Sequence, residues 1–332
     1  MNAMQFLTIT LKRAGFGLVL LLAVLVLCFL LMHLAPGDIA DTIAQDAGGL
    51  DPEAMAQIRK DYGLDLPLWQ QMLKYFSNVA LLDLGYSFYY NQPVTTLILE
   101  KLPATLLLVI SAQVISIISG VVLGVIAACK PNGMTSHFVT VISLVGYAAP
   151  VFWTGIMLII LFASIIPLFP IGNMVDVSVE REGFAYVLDV LHHLVLPMLT
   201  LGSIFLALYS RLARASMLDV LGSDFVRTAR AKGLSEFQVV FKHALRNALL
   251  PVVTTAGLVF SGIMSGAVLV ETVFSWPGLG TLAVQAIIAR DTPTILGILF
   301  FSSLVVIIAN LLTDMVYRII DPRIKTSEDS QV

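Results

Sequence analysis

The chain has 332 residues, 58% of them hydrophobic and only 12% charged, with a mean hydropathy of +0.91. Soluble globular domains carry about twice that share of charge, so an ordinary soluble enzyme or binding module is excluded. The net charge of −3 offers nothing for a nucleic acid, and no nucleic-acid partner is expected.

Six runs lack Asp, Glu, Lys and Arg: residues 14–37, 102–129, 131–175, 190–210, 247–270 and 292–313. Each can cross a hydrocarbon core, which takes about 20 helical residues. Six crossings put both termini on one side, and the basic residues say which. With a cytoplasmic N-terminus, 13 fall inside (Lys12, Arg13, Lys130, the seven of 211–246, Arg318, Arg323, Lys325). Six fall outside: Arg59, Lys60, Lys74, Lys101, Arg181 and Arg290. This bias places both termini in the cytoplasm.

The first run is too long for a signal-peptide core, and His33-Leu34-Ala35-Pro36-Gly37 is a poor cleavage site, so retention as a span is expected. Cys28 and Cys129 sit in apolar spans as small hydrophobes, without the neighbours of a metal site or a disulfide framework. Residues 36–101 form a polar outer insertion. Asp51-Pro52-Glu53 predicts a helix start, with Met55, Ile58 and Tyr62 on one side. A second short helix is predicted over 68–79, carrying Trp69, Met72 and Phe76. The insertion's aromatics (Trp69, Tyr75, Phe76, Tyr86, Phe88, Tyr89, Tyr90) read as an interfacial belt.

The third run exceeds one helix, and Pro167 and Pro170 predict that its span ends near Phe162. The outer segment 172–189 suits a short surface helix through Phe184, Val187 and Leu188. A third outer segment holds the turn Trp276-Pro277-Gly278-Leu279-Gly280, then an apolar stretch, 282–288, that is too short to span. No repeat occurs, and the tail 325–332 is expected to be disordered.

The cytoplasmic loop 211–248 carries clear helix punctuation. Ser223 is an N-cap for a helix from Asp224, Gly233 stops it, and Ser235 with Gln238 makes a capping box. A second helix runs through Phe241 and Leu245 towards Pro251, against the membrane face. Phe225, Thr228, Ala229 and Lys232 share one side, with a small residue that lets a partner approach. Composition leaves open whether this surface meets a protein or rests on anionic lipid.

Arg227-Thr228-Ala229-Arg230-Ala231-Lys232-Gly233-Leu234-Ser235 resembles the cytoplasmic coupling loop of ABC-importer permeases, in their dipeptide/oligopeptide/nickel branch. The likeness continues through His243-Ala244-Leu245-Arg246-Asn247-Ala248-Leu249-Leu250-Pro251. Other shared stretches are Ala35-Pro36-Gly37-Asp38, Tyr62-Gly63-Leu64-Asp65, Pro150-Val151-Phe152-Trp153 and 271–280. The general motif has Glu where this chain has Arg227, so no salt bridge from that Glu carries over. The resemblance implies an all-α integral membrane protein with the six spans of a type I permease and an extra periplasmic insertion after the first. It implies four kinds of partner beside the bilayer of the bacterial inner membrane. These are a second, different permease, two cytoplasmic ATP-binding subunits and a periplasmic substrate-binding protein. The ATPase contact would fall on Phe225, Arg227, Thr228, Ala229, Lys232, Gly233, Leu234, Ser235 and Glu236. Peptides are the implied cargo, with nickel chelates, glutathione and sugars as alternatives.

Other chemistry is thin. No Gly-x-x-x-x-Gly-Lys-Ser/Thr loop, Gly-x-Ser-x-Gly or His-Glu-x-x-His occurs, so no catalysis by this chain is expected; no cofactor or metal is expected either. His192-His193 reads as interfacial, with no acid at ligand spacing, and His33 as a snorkelling residue. Glu271 and Asp314 read as solvated at span edges, while two readings stand for Gln113 and Asn310, lining a pathway or bonding neighbouring helices. An ion-coupled transporter would need a midplane acid or an Arg-lined path, and the spans offer neither.

Overall fold

A computed structural model describes residues 3–34 and 51–320. The motif at 35–38, the start of the insertion up to residue 50 and the tail lie outside them. The elements are α1 (Ala3–Leu34), α2 (Pro52–Tyr62), α3 (Leu68–Ala80), the strands β1 (Tyr86–Ser87) and β2 (Gln92–Pro93), and α4 (Val94–Cys129). Then come α5 (Met134–Ala148), α6 (Val151–Ile165), α7 (Gly183–Leu221), α8 (Asp224–Ala231), α9 (Glu236–Val273), α10 (Leu279–Ala289) and α11 (Thr292–Ile320). Among the described residues α1, α4, α7, α9 and α11 are long and apolar enough to cross a membrane; α5 and α6, if one broken span, make six.

That break corrects the reading of the third run. Ala149 is extended (φ −74°, ψ 132°) because the ring of Pro150 disfavours helical geometry in the residue before it, and the two halves bend by 107°. The span also reaches Ile165, past Phe162, through a π-helical end at Ile160–Ile165. Residues 183–189 form no separate surface helix but are the first turns of α7. Pro103, Pro197 and Pro251 all lie inside helices that continue through them.

The chain divides into two compact units, Met1–Pro103 with Leu282–Ile307, and Ala104–Thr281 with Ile308–Val332. In the first, Leu25, Cys28 and Phe29 form the buried face of α1. The Phe29 ring lies 4.2 Å from His33 and 6.1 Å from Tyr75 of α3. His33 Nε2 meets Gln71 Oε1 at 3.0 Å, so this histidine ties α1 to the insertion. Gly63, left-handed at φ 72°, ends α2 and turns the chain into α3. Asp51 stands at the N-cap position but its side chain makes no capping bond. The antiparallel pair β1–β2 is anchored by the buried Ser87 hydroxyl, which donates to Asp291 at 2.5 Å; Asp291 also accepts from Thr294 at 2.6 Å.

In the second unit helix directions alternate. A Cβ on Gly202 would meet Ser116 Oγ, one on Gly120 would meet Leu206 O, and one on Gly124 would meet Ser210 O, so α4 and α7 run parallel. Gly266 faces Leu201, Gly262 faces Phe205, and Val252 packs with Tyr209 and Ala213, so α9 runs antiparallel to α7. Small residues at 112, 116, 120, 124 and 128 permit the α4–α7 approach. All five are buried, and Ser116 Oγ donates to Gly202 O at 2.9 Å. Gln113 Nε2 donates to Tyr209 Oη at 2.9 Å and to Ala256 O at 3.0 Å, which bears out its reading as a bond between helices. Asn310 is exposed.

Candidate functional site

The loop after α7 is built from the inside out. Val226 and Ala229 of α8 are buried against Val125 and Ala128 of α4, Met217 of α7, and Val239, Val240 and Ala244 of α9. Ala229 therefore seats α8 on this chain's own core, which corrects its place in an outward-facing stripe. A larger side chain there would lift the helix off its seat. Leu234 packs on the same cluster. The outward surface is made of Arg227, Thr228, Lys232, Gly233, Ser235 and Glu236, all exposed, with Phe225 half exposed at 46%.

The turn after α8 is held at several points. Gly233 is left-handed at φ 78°, and its N–H donates to Arg230 O at 2.9 Å. Arg230 spans the turn to Glu236 with two hydrogen bonds, Nε to Oε1 at 2.8 Å and Nη2 to Oε2 at 3.2 Å. Ser235 and Gln238 form the reciprocal capping box. Ser223 holds the N-cap position, but its hydroxyl donates back to Val220 O at 2.5 Å instead of capping α8. Arg227 has an exposed ion pair with Asp224 at 3.5 Å, worth little in water.

The second loop helix is no separate element. From Glu236 it runs into the span as α9, through a π-helical turn at Val239–Ala244. The exposed aromatics Phe237 and Phe241 stack beside it, with ring centroids 4.6 Å apart. Sequence reasoning left this pair out of the site, although its i, i+4 spacing was visible.

At the other end of α9, about 50 Å away at 1.5 Å per residue, lies a buried polar knot. The Glu271 carboxylate is fully buried. It accepts from Thr105 Oγ1 at 2.6 Å and from the N–H groups of Gly280 at 2.7 Å and Thr281 at 3.1 Å. Those amides open α10, where a negative charge is favoured. Thr105 Oγ1 accepts from Leu279 N, and Trp276 Nε1 donates to Ala104 O at 2.9 Å. Glu271 is thus not solvated, as its place at a span edge had implied. The side chain of Asp314 lies outside the described residues.

The outer segment packs nearby, with Asn173 N donating to Phe274 O at 2.8 Å. His193 is buried and its Nδ1 lies 2.9 Å from Asp189 O and 3.4 Å from that carboxylate; Asp189 also binds Arg181. An acid one helical turn before His193 was overlooked. His192 Nε2 reaches Leu168 O at 2.8 Å. Hydrogen bonds from Ser178 hold the Asp176 carboxyl below its usual range. Among the described residues no group of three or more His, Cys, Asp or Glu is placed to hold a metal.

Comparison with known proteins agrees with this architecture. The family described as "Binding-protein-dependent transport system inner membrane component" matches residues 120–326, and the corresponding N-terminal family matches residues 4–109. The dipeptide transport system permease protein DppB of Escherichia coli K12 is 38% identical over 332 residues, covering 95% of this chain and 98% of that one. The di/tripeptide permease protein DppB of Pseudomonas aeruginosa UCBPP-PA14 is 40% identical, covering 95% and 97%. The oligopeptide permease protein AppB of Bacillus subtilis 168 is 38% identical, covering 95% and 98%. A chain of the inward-facing MetNI methionine ABC transporter superposes with a TM-score of 0.54 at 16% identity, covering 68% of this chain and 96% of that one. At that identity the likeness is one of fold, the membrane fold of a type I importer permease. The chain belongs to the family of binding-protein-dependent transport system inner membrane components.

Proposed function

We propose that this chain is one of two different permease subunits of an ATP-driven importer that carries peptides across the bacterial inner membrane, with both termini cytoplasmic. The names of three relatives at 38–40% identity, all peptide transport permeases, support the cargo. ATP hydrolysis on partner subunits accords with a sequence that carries no phosphate-binding loop.

The observation that carries the reading is the loop at 223–241. Its short helix α8, locked to the chain's own core, presents Phe225 and Arg227 outward, and Lys232 of the turn with Phe237 and Phe241 at the start of α9 extend the same exposed loop. A surface of aromatics and Arg is the kind that anchors a protein interface. Because α8 is buried against α4, α7 and α9 together, a pull on it is delivered to three spans at once. ATPase closure would then rock these spans against the second permease, exposing the path alternately to a substrate-loaded binding protein and to the cytoplasm.

Gly233→Pro tests this directly. Proline cannot take φ 78° and lacks the N–H that reaches Arg230 O, so the turn must open. The expected outcome is normal membrane insertion, with uptake of a labelled di- to oligopeptide series lost and ATPase activity uncoupled or its subunit released. Full peptide uptake by the variant would overturn the coupling role. Unchanged uptake by cells lacking the native chain would overturn the cargo.

A further inference from the structure

A cavity of about 340 Å³ opens between α5 and α7, lined by Thr140, Ser143, Ser210, Arg211, Arg214 and Leu218 among others. Its polar lining is two guanidinium groups and three hydroxyls. No carboxylate lines it, and among the described residues neither arginine has an acidic partner. Arg211 instead lies over the Tyr147 ring, 5.2 Å from its centroid. The terminal nitrogens of Arg214 reach only Thr140 Oγ1 and Pro131 O, each at 3.5 Å, beyond a good hydrogen bond.

Among the described residues, two side-chain atoms of the lining residues are buried without a hydrogen-bond partner, Ser143 Oγ and Arg214 Nε, and Ser143 is only 3% exposed. A buried donor left unmet is destabilising, and a charged one more so. Beside the cavity, α5 exposes Phe138 (65%), Val141 (58%) and Leu144 (61%). Two guanidinium groups and a free hydroxyl next to an apolar helix face match one molecule with an anionic head and hydrocarbon tails.

We infer that this cavity binds the headgroup of an anionic phospholipid. Its phosphate sits between Arg211 and Arg214 and accepts from the Ser143 hydroxyl, and its acyl chains run along Phe138, Val141 and Leu144. Arginine suits this role because its planar fork meets phosphate oxygens two at a time. An anionic headgroup is favoured over a zwitterionic one, whose ammonium would face two unpaired cations. With this end of α7 cytoplasmic, as proposed above, the site faces the leaflet that supplies anionic lipid to basic pockets between spans.

The test uses the assembled transporter, delipidated in detergent. It is titrated separately with phosphatidylglycerol, phosphatidylethanolamine and inorganic phosphate, with bound lipid counted by native mass spectrometry and the melting midpoint followed. The native complex should retain phosphatidylglycerol at about tenfold lower concentration than phosphatidylethanolamine. Arg211→Gln with Arg214→Gln should abolish that preference, and Ser143→Ala should weaken it. Should the double variant fail to assemble, Ser143→Ala, which changes no charge, carries the test alone. Equal retention of both lipids by the native complex would overturn the inference. So would stabilisation by inorganic phosphate equal to that by phosphatidylglycerol, which marks a free-anion site. Release of the second permease from the variants with lipid retention unchanged would assign the arginines to a partner carboxylate instead.

Discussion

Glu271 shows how much one side chain can hold. Its carboxylate gathers the Thr105 hydroxyl of α4 and the first amides of α10, so three segments meet on two oxygens. Gly278 is required beside it, since a Cβ there would collide with the carboxylate. Glu271→Ala leaves a buried hydroxyl and two amides without their acceptor, a loss of about 2–4 kcal/mol if water replaces part of it. The melting midpoint in detergent should drop accordingly, while Glu271→Gln, which keeps an acceptor oxygen, should lie close to the native value. A midpoint unmoved by the alanine would show the knot to be incidental. This carboxylate was illegible in sequence because an acid at a span edge looks the same whether water or folded backbone amides solvate it. Gly233 was the opposite case. The left-handed backbone at a helix stop is a property of its own local geometry, and the structure has it at φ 78°.

Among the elements, α4 and α9 decide how the second unit is built. The four-residue repeat of small residues on α4 lets α7 approach so closely that a Cβ on Gly124 would lie 2.6 Å from Ser210 O and 2.7 Å from Ala213 Cβ. Backbone cannot yield as a flexible side chain would. Gly124→Leu should therefore force α4 and α7 apart, costing about 1–3 kcal/mol or more, and the complex should melt earlier or fail to assemble. Gly15→Leu is the control, since nothing lies within 4 Å of a Cβ there. Equal melting of the two variants would show that the α4 stripe does not set the packing. On α9 the π-helical turn falls between the loop that carries α8 and the span. An inserted residue of this kind shifts the facing of every side chain after it, and such turns concentrate at functional sites. Hydrophobic pattern alone cannot reveal it, because an apolar span reads the same in any phase.

On the scale of the whole molecule, alternating helix direction is what a multi-pass chain requires. Spans two and four must run the same way and span five against them, as α4, α7 and α9 do. Which end is cytoplasmic rests on 13 basic residues against six. With Cys28 and Cys129 replaced by serine, Ser178→Cys should react with a membrane-impermeant maleimide in intact cells. Ser235→Cys should react only after permeabilisation, and the reverse pattern would invert the topology. Both positions are exposed. The six apolar runs, the bias of basic residues between their flanks, the Ser235 capping box, the glycine break at 233 and the family likeness were all legible in the sequence alone. Each follows from composition, charge or a local backbone rule that needs no distant partner. Only the tertiary structure decided that Ala229 faces inward, that Pro150 breaks a span while Pro197 and Pro251 do not, that Glu271 is buried, and that Arg211 and Arg214 line a cavity without an acid. Those outcomes depend on residues up to 166 positions apart being brought into contact, as Thr105 and Glu271 are, and no local pattern encodes which of them will meet.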